Sequence, residues 1–244
     1  MKSVSHEKRG DTDRSNGLST CCVATSRTWH EGIVENLSKS LKQPIELINS
    51  KDQLTVEKLD LINPRYIFFP HWSYIIPEKI FSRYECVIFH MTDLPFGRGG
   101  SPLQNLISRG YTETKITALK CVKELDAGPV YMKRPLSLHG SAEEIFLRVA
   151  LIIEKMIEEI ISTEPEPKAQ TGAAITFKRR KPEQSELTEM KSLSDVYDQI
   201  RMLDATGYPK AFIVHDGYRY EFTRGSLKQD HLLADVKITK VENE

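Results

Sequence analysis

Two short runs, Arg65–Pro70 (RYIFFP) and Glu85–His90 (ECVIFH), limit the fold most. Each is apolar at consecutive positions, so both faces of the strand it forms must be covered. That is the pattern of a central strand in a parallel sheet with helices on either side, not of a half-wet antiparallel ribbon. The sequence around them agrees. From Leu18 onward, short apolar runs alternate with longer periodic ones, as βαβ units require.

In that frame Leu18–Thr25 is a first strand, Trp29–Leu41 a helix with Ile33, Leu37 and Leu41 on one stripe, and Pro44–Asn49 a second strand. Leu54–Leu61 is a short helix ended by Asn63-Pro64, and Ser73–Phe81 has room for a turn or two. After His90 comes a Gly- and Pro-rich loop, MTDLPFGRGGSP, and then a helix over Leu103–Ser108 that Ser101 would cap, with Pro102 in its first turn. Ile116–Lys123 and Gly128–Pro135 read as strands. Ser141–Ile161 is the clearest helix: Ser141 with Glu144 forms a capping box, and Ile145, Val149, Ile153, Met156 and Ile160 recur at three and four residues.

The polar, proline-bearing segment Thr163–Thr171 (TEPEPKAQT) reads as a linker, with a boundary near Glu164. The expected organisation is a disordered leader at 1–17, an α/β domain with a Rossmann-like, mainly parallel sheet over 18–164, and a small α+β subdomain over 165–244. In that last part Leu193–Leu203 is helical, and Ala211–Val214, Tyr218–Phe222 and Leu232–Ile238 alternate as strands. No internal repeat is present.

Composition narrows the function. With 34 Lys+Arg against 34 Asp+Glu there is no net field to gather a polyanion. No run reaches the roughly 18 apolar residues of a membrane span, and the leader lacks an apolar core, so the expectation is a non-secreted, cytoplasmic protein. Cys21, Cys22, Cys86 and Cys121 lack the spacing of a zinc site and read as reduced, packed thiols; no metal is expected. The loop after the first strand, Thr25-Ser26-Arg27-Thr28, has no glycine, so a dinucleotide fingerprint is absent.

Ligands of open parallel sheets collect beyond the carboxyl ends of the strands. FFPHW places His71 there and VIFH places His90, while Asp126 comes from the loop between two later strands. A strand-end histidine with an acidic partner suits general acid–base work near neutral pH. Taken singly, each has a plainer reading: a loop or core histidine, and a turn-forming aspartate.

The joint pattern is more specific. His90–Pro102 (HMTDLPFGRGGSP), Gly110–Thr117 (GYTETKIT) and Leu125–Val130 (LDAGPV) together resemble, in order and spacing, the motifs of the folate-dependent formyltransferase family. FKRRKPEQSELT and GYPKAF are similar to its later segments. The resemblance covers Leu18 to Ile161 and is strongest from Arg65 to Pro135. It implies that an amine attacks the formyl carbon of 10-formyltetrahydrofolate, a tetrahedral oxyanion forms and the reduced folate leaves. By the same resemblance His90 and Asp126 are catalytic, His90 serving the oxyanion and Asp126 holding His90 and accepting the amine's proton. Trp72, Ile75, Thr92, Leu94, Leu125 and Asp126 would line the folate site, with Phe69 as a further apolar wall. His71, Asp93, Arg98 and Gly99 would face the acceptor.

Two departures stand out. Where the family has Asn two residues before the His, this chain has Ile88, which donates nothing; a lost oxyanion donor typically costs about 3 kcal/mol of transition-state stabilisation. His71, Thr92 or a backbone N–H are the candidate substitutes. Asp93 replaces an uncharged residue and has Arg98 or a substrate amine as expected partners.

For the acceptor, the small tail without excess positive charge argues against tRNA and for an amino-sugar nucleotide, with Tyr208, Phe212, Tyr218, Tyr220 and Phe222 available to stack on a base or to fill the tail's core. The basic run Lys178–Lys181 reads as a solvated face that can also reach a phosphate. Methionyl-tRNA formylation, hydrolysis of the formyl donor and a non-catalytic folate- or nucleotide-binding module are the alternatives. Strand pairing across the tail offers a route to a homodimer.

Overall fold

The computed structural model describes residues 20–30 and 32–241, so the leader at 1–17 and the start of the first strand at Leu18 lie outside the described residues. In chain order the elements are β1 (Cys21–Ala24), α1 (Ile33–Leu41), β2 (Ile45–Ile48), α2 (Val56–Ile62), β3 (Tyr66–Phe69), α3 (Glu78–Phe81), β4 (Cys86–His90), β5 (Phe96–Gly99), α4 (Pro102–Ile107), β6 (Glu113–Lys120) and β7 (Val130–Ser137). There follow α5 (Ala142–Thr163), β8 (Ile175–Phe177), α6 (Leu193–Arg201), β9 (Ala211–His215), β10 (Tyr218–Leu227) and β11 (Leu232–Lys240).

The main sheet has the order β2-β1-β3-β4-β6-β7. The pairings among β2, β1, β3 and β4 are parallel, whereas β6 runs antiparallel to β4, and β7 to β6. The two doubly apolar runs are the adjacent strands β3 and β4. Tyr66 to Phe69 are all buried, and two apolar clusters cover the sheet's faces. One contains Phe68 and Val87, packed with α1, α4 and α5; the other contains Ile67, Phe69 and Cys86, packed with α2 and α3. Burying a side chain of this size stabilises the fold by about 1.5–3 kcal/mol.

Helix α5 begins with the expected capping box: Ser141 Oγ accepts from the Glu144 N–H at 3.3 Å, and Glu144 Oε2 accepts from the Ser141 N–H at 2.7 Å. The cap assigned to Ser101 is corrected. Its backbone is left-handed (φ 50°) and its hydroxyl accepts no bond from α4; instead Ser101 Oγ accepts from the Arg180 N–H at 3.1 Å. Pro102 does open that helix.

The stretch read as one loop after His90 contains a strand. β5 pairs in parallel with β8, from the segment beyond the linker, as a separate two-stranded sheet. The backbone approach is close: a Cβ on Gly99 (φ +105°) would lie 2.4 Å from the Phe177 carbonyl oxygen. Neither run is periodic enough to reveal this from sequence, because each strand exists only through its partner. The later elements form an antiparallel sheet, β11-β10-β9, with α6 packed on it. Ile200, Met202, Leu203 and Ala211 join the same apolar cluster as Phe68 and Val149.

Candidate active site

Strand β4 carries His90 to the carboxyl edge of the sheet, and the β6–β7 loop brings Asp126 to meet it. His90 Nδ1 lies 3.5 Å from Asp126 Oδ2, and each residue is only 8% exposed. The other ring nitrogen, Nε2, is 2.7 Å from the Gly97 carbonyl oxygen. A carbonyl only accepts, so Nε2 carries its hydrogen and Nδ1 is the nitrogen left to exchange protons with Asp126 or a ligand. Asp126 Oδ2 also accepts from the Gly99 N–H at 2.9 Å. The loop after β4 thus holds both members of the pair through its own backbone.

Asp126 sits in the left-handed region, φ 53°, which aspartate adopts more readily than most non-glycine residues. Gln170 holds it there. This linker residue donates from Nε2 to the carbonyl oxygens of Asp126 (2.8 Å) and Gly128 (2.9 Å), and its Oε1 accepts from Arg98 Nη2 (2.7 Å) and Nε (3.2 Å). Sequence reasoning missed Gln170: an amide in a polar linker carries no periodic or motif signal.

Beside the pair opens a cavity of about 780 Å³, lined by Phe69, Trp72, Ile88, His90, Leu125 and Asp126 among others. Trp72 is half-buried, its indole N–H without a partner. Ile75 and Leu125 border the cavity from outside, 91% and 71% exposed, as rim and not as wall. Two expected lining residues do not border it. Thr92 is fully buried, its hydroxyl 3.4 Å from the Gly97 carbonyl oxygen that it bonds, and Leu94 is 1% exposed. Both support the loop from behind.

Of the residues expected to face the acceptor, Gly99 borders the cavity and Arg98 is turned onto Gln170. Asp93 pairs with neither Arg98 nor a free space: Lys133 and Lys115 reach it at 2.5 and 2.9 Å. Partial burial works to raise its carboxyl, but the two ammonium groups prevail and hold it below the usual range.

His71 borders the cavity in a left-handed conformation, φ 49°. Its Nδ1 lies 2.8 Å from His30 Nε2, a partner the sequence did not suggest. Burial pushes both imidazoles down, His30 to about 4 and His71 to about 3, with the neighbouring His30 and Arg27 adding to the effect on His71. Of the groups considered as substitutes for the missing Asn, the Thr92 hydroxyl is spent on Gly97 and the N–H groups of Gly99 and Gly100 on Asp126 and Phe177. His71 Nε2 has no partner.

All four cysteines are free and buried, and burial raises their thiols, Cys21 to about 11 and Cys22 to about 12. Among the described residues no cluster of His, Cys, Asp or Glu is arranged to hold a metal, and no helix is long and apolar enough to cross a membrane.

Residues 182–239 match a family model described as the C-terminal domain of methionyl-tRNA formyltransferase. A solved structure named methionyl-tRNA formyltransferase from Clostridium thermocellum is 50% identical, covers 91% of this chain and 100% of its own, and superposes with a TM-score of 0.89. The chain belongs to the folate-dependent formyltransferase family. A curated family member, methionyl-tRNA formyltransferase of Sulfurihydrogenibium sp., is 29% identical over 183 residues, 70% of this chain. The chain spans 56% of that relative's length, a little over half. The fold also matches HypX from Aquifex aeolicus, solved in complex with tetrahydrofolic acid, at 18% identity and a TM-score of 0.70 over 84% of this chain and 37% of that one.

Proposed function

We propose that the chain is an N-formyltransferase that takes its formyl group from 10-formyltetrahydrofolate and delivers it to a primary amine. The observation that carries this reading is the buried His90–Asp126 pair, at 3.5 Å, opening on a cavity with largely apolar walls. Such a cavity fits a flat heterocycle with polar edges. Phe69, Trp72 and Ile88 would hold the donor's ring system, and the donor supplies an activated formyl carbon when bound.

The chain's own residues manage the protons. His90, its Nε2–H fixed on Gly97, serves the developing negative oxygen through Nδ1 once that nitrogen carries the proton it shares with Asp126. Asp126, kept in place by Gly99 and Gln170, receives the proton that an amine must lose as it adds.

For the acceptor we favour an amine on a nucleotide-linked sugar. Aminoacyl-tRNA is the second reading, favoured by the names of the relatives, which weaken the case made against tRNA from the size and charge of the tail. A reduced, cytoplasmic setting belongs to the same proposal. The test is a mass-spectrometric search for formamide product with labelled 10-formyltetrahydrofolate and, in separate reactions, UDP- or dTDP-linked amino sugars and methionyl-tRNA. Product with an amino sugar supports the first reading and product with tRNA alone the second. No product with any amine, and no release of tetrahydrofolate, overturns both.

A further inference from the structure

Across the main sheet, His90 on β4 stands directly opposite Thr117 on β6, and Thr117 directly opposite Lys133 on β7. Opposed residues of an antiparallel pair share one face of the sheet. The row therefore sets a hydroxyl and an ammonium beside the strand end that carries the imidazole. Neither Thr117 nor Lys133 borders the cavity, and neither takes part in the proton handling proposed above.

Both side chains act on the loop after β4. Thr117 is fully buried, and its Oγ1 donates to the Thr92 carbonyl oxygen at 2.7 Å. Lys133 Nζ donates to the Leu94 carbonyl oxygen and to Asp93 Oδ1. Asp93, which stands where the family has an uncharged residue, also takes Lys115 on its other oxygen at 2.9 Å. Lys115 is half exposed, and such a pair adds little; Lys133 grips backbone and carboxylate together and is the stronger hold. Beyond Asp93 the loop turns, the Phe96 N–H donating to the Asp93 carbonyl at 3.1 Å, and reaches Gly97. The Gly97 carbonyl oxygen accepts from the Thr92 hydroxyl at 3.4 Å as well as from His90 Nε2 at 2.7 Å. A Cβ on Gly97 would lie 2.7 Å from Thr92 Cγ2, so the two ends of the loop are in contact. Lys133 and Thr117 thus hold the start of the loop, Thr92 and the turn hold Gly97, and Gly97 holds His90.

We propose that Asp93, Thr117 and Lys133 are positioning residues for His90: by clamping the loop after β4 they keep the Gly97 carbonyl on Nε2 and so hold His90 in its Nε2–H form. A neutral imidazole carries one hydrogen on either nitrogen, and the bond made at one sets the role of the other. With the carbonyl displaced, the hydrogen is free to settle on Nδ1. The inference deepens the proposed function and rests on it only for the consequence in turnover; the position of the hydrogen is a property of the free protein.

The test is long-range nitrogen–proton NMR of the full chain with isotope-labelled histidine, above the pH range in which imidazole titrates, beside rates of tetrahydrofolate release. His90→Gln identifies the His90 signals by their loss. Wild type is expected to show the Nε2–H pattern at His90. Thr117→Val and Lys133→Met remove a donor at nearly constant shape; each is expected to give a mixture of the two forms and a kcat lower by about tenfold, with KM within twofold. Thr117→Ser and Lys133→Arg, which keep a donor, are expected to restore the wild-type pattern. Asp93→Asn, at a half-exposed carboxylate, keeps the test valid if the other variants fail to fold, and is expected to shift the pattern the same way with about a threefold loss in kcat. A wild-type Nδ1–H pattern, or an Nε2–H pattern unchanged in every variant that folds, would overturn the inference. A shifted pattern with no formyl transfer by wild type removes the proposed function and leaves the clamp; normal transfer with an unshifted pattern removes the clamp alone.

Discussion

At the level of single residues, the site is a set of backbone anchors around two titratable side chains. The Gly97 carbonyl fixes one nitrogen of His90, and the Gly99 N–H and the Gln170 amide fix Asp126 on its carboxyl and carbonyl sides. His90→Ala and Asp126→Asn are each expected to lower turnover at least tenfold, within the range of general acid–base catalysis, with melting temperatures close to wild type. Steady-state rates with thermal melts check this. Gln170→Leu keeps the volume but removes four hydrogen bonds, and a drop of about tenfold in kcat with little change in KM is expected of a residue that orients a catalytic group. Gly99→Ala places a methyl group against the Phe177 carbonyl in a backbone conformation that alanine avoids. A loss of about 2 kcal/mol in denaturant unfolding is expected.

Elements explain what was readable beforehand. β3, β4 and α5 were legible because burial on two faces and a 3.6-residue stripe are written in consecutive residues, and His90 was placed because it ends such a strand. Asp126 needed the resemblance, since a turn aspartate alone points nowhere. β5 and β8 are not legible, because their pairing is a contact between distant, irregular segments; the sequence therefore puts Thr92 and Leu94 in the folate site and Arg98 toward the acceptor, whereas Thr92 bonds the Gly97 carbonyl, Leu94 is buried and Arg98 is held by Gln170.

The His30–His71 contact was equally hidden, and it has a pH consequence. Both groups titrate lower when folded, near 4 and 3 against 6.5 for free imidazole. Between pH 6.5 and 4 the unfolded chain binds protons that the folded chain refuses, so stability falls as pH falls through that window. A double His30→Gln, His71→Gln variant is expected to show a shallower fall in melting temperature from pH 6.5 to 4; identical slopes would contradict it.

Over the whole molecule, the segment beyond the linker is part of the site's construction. β8 supplies the second strand for the loop after His90, Gln170 reaches back to Asp126, and Ile200, Met202 and Leu203 fill the main core. Removing three such side chains exposes apolar surface worth about 5 kcal/mol or more, as much as many domains have in total. A chain ended after Pro167 is therefore expected to lack a cooperative thermal transition by circular dichroism, and a retained sharp transition would show that the α/β part stands alone.

The most direct test of the central claim, that His90 and Asp126 jointly handle the proton and the negative oxygen of formyl transfer, is a double-mutant cycle on single-turnover release of tetrahydrofolate from 10-formyltetrahydrofolate. If the pair works as a unit, His90→Ala, Asp126→Asn and the double variant lose rate to nearly the same extent. Rates that stay at wild-type level, or losses that simply multiply, would contradict it.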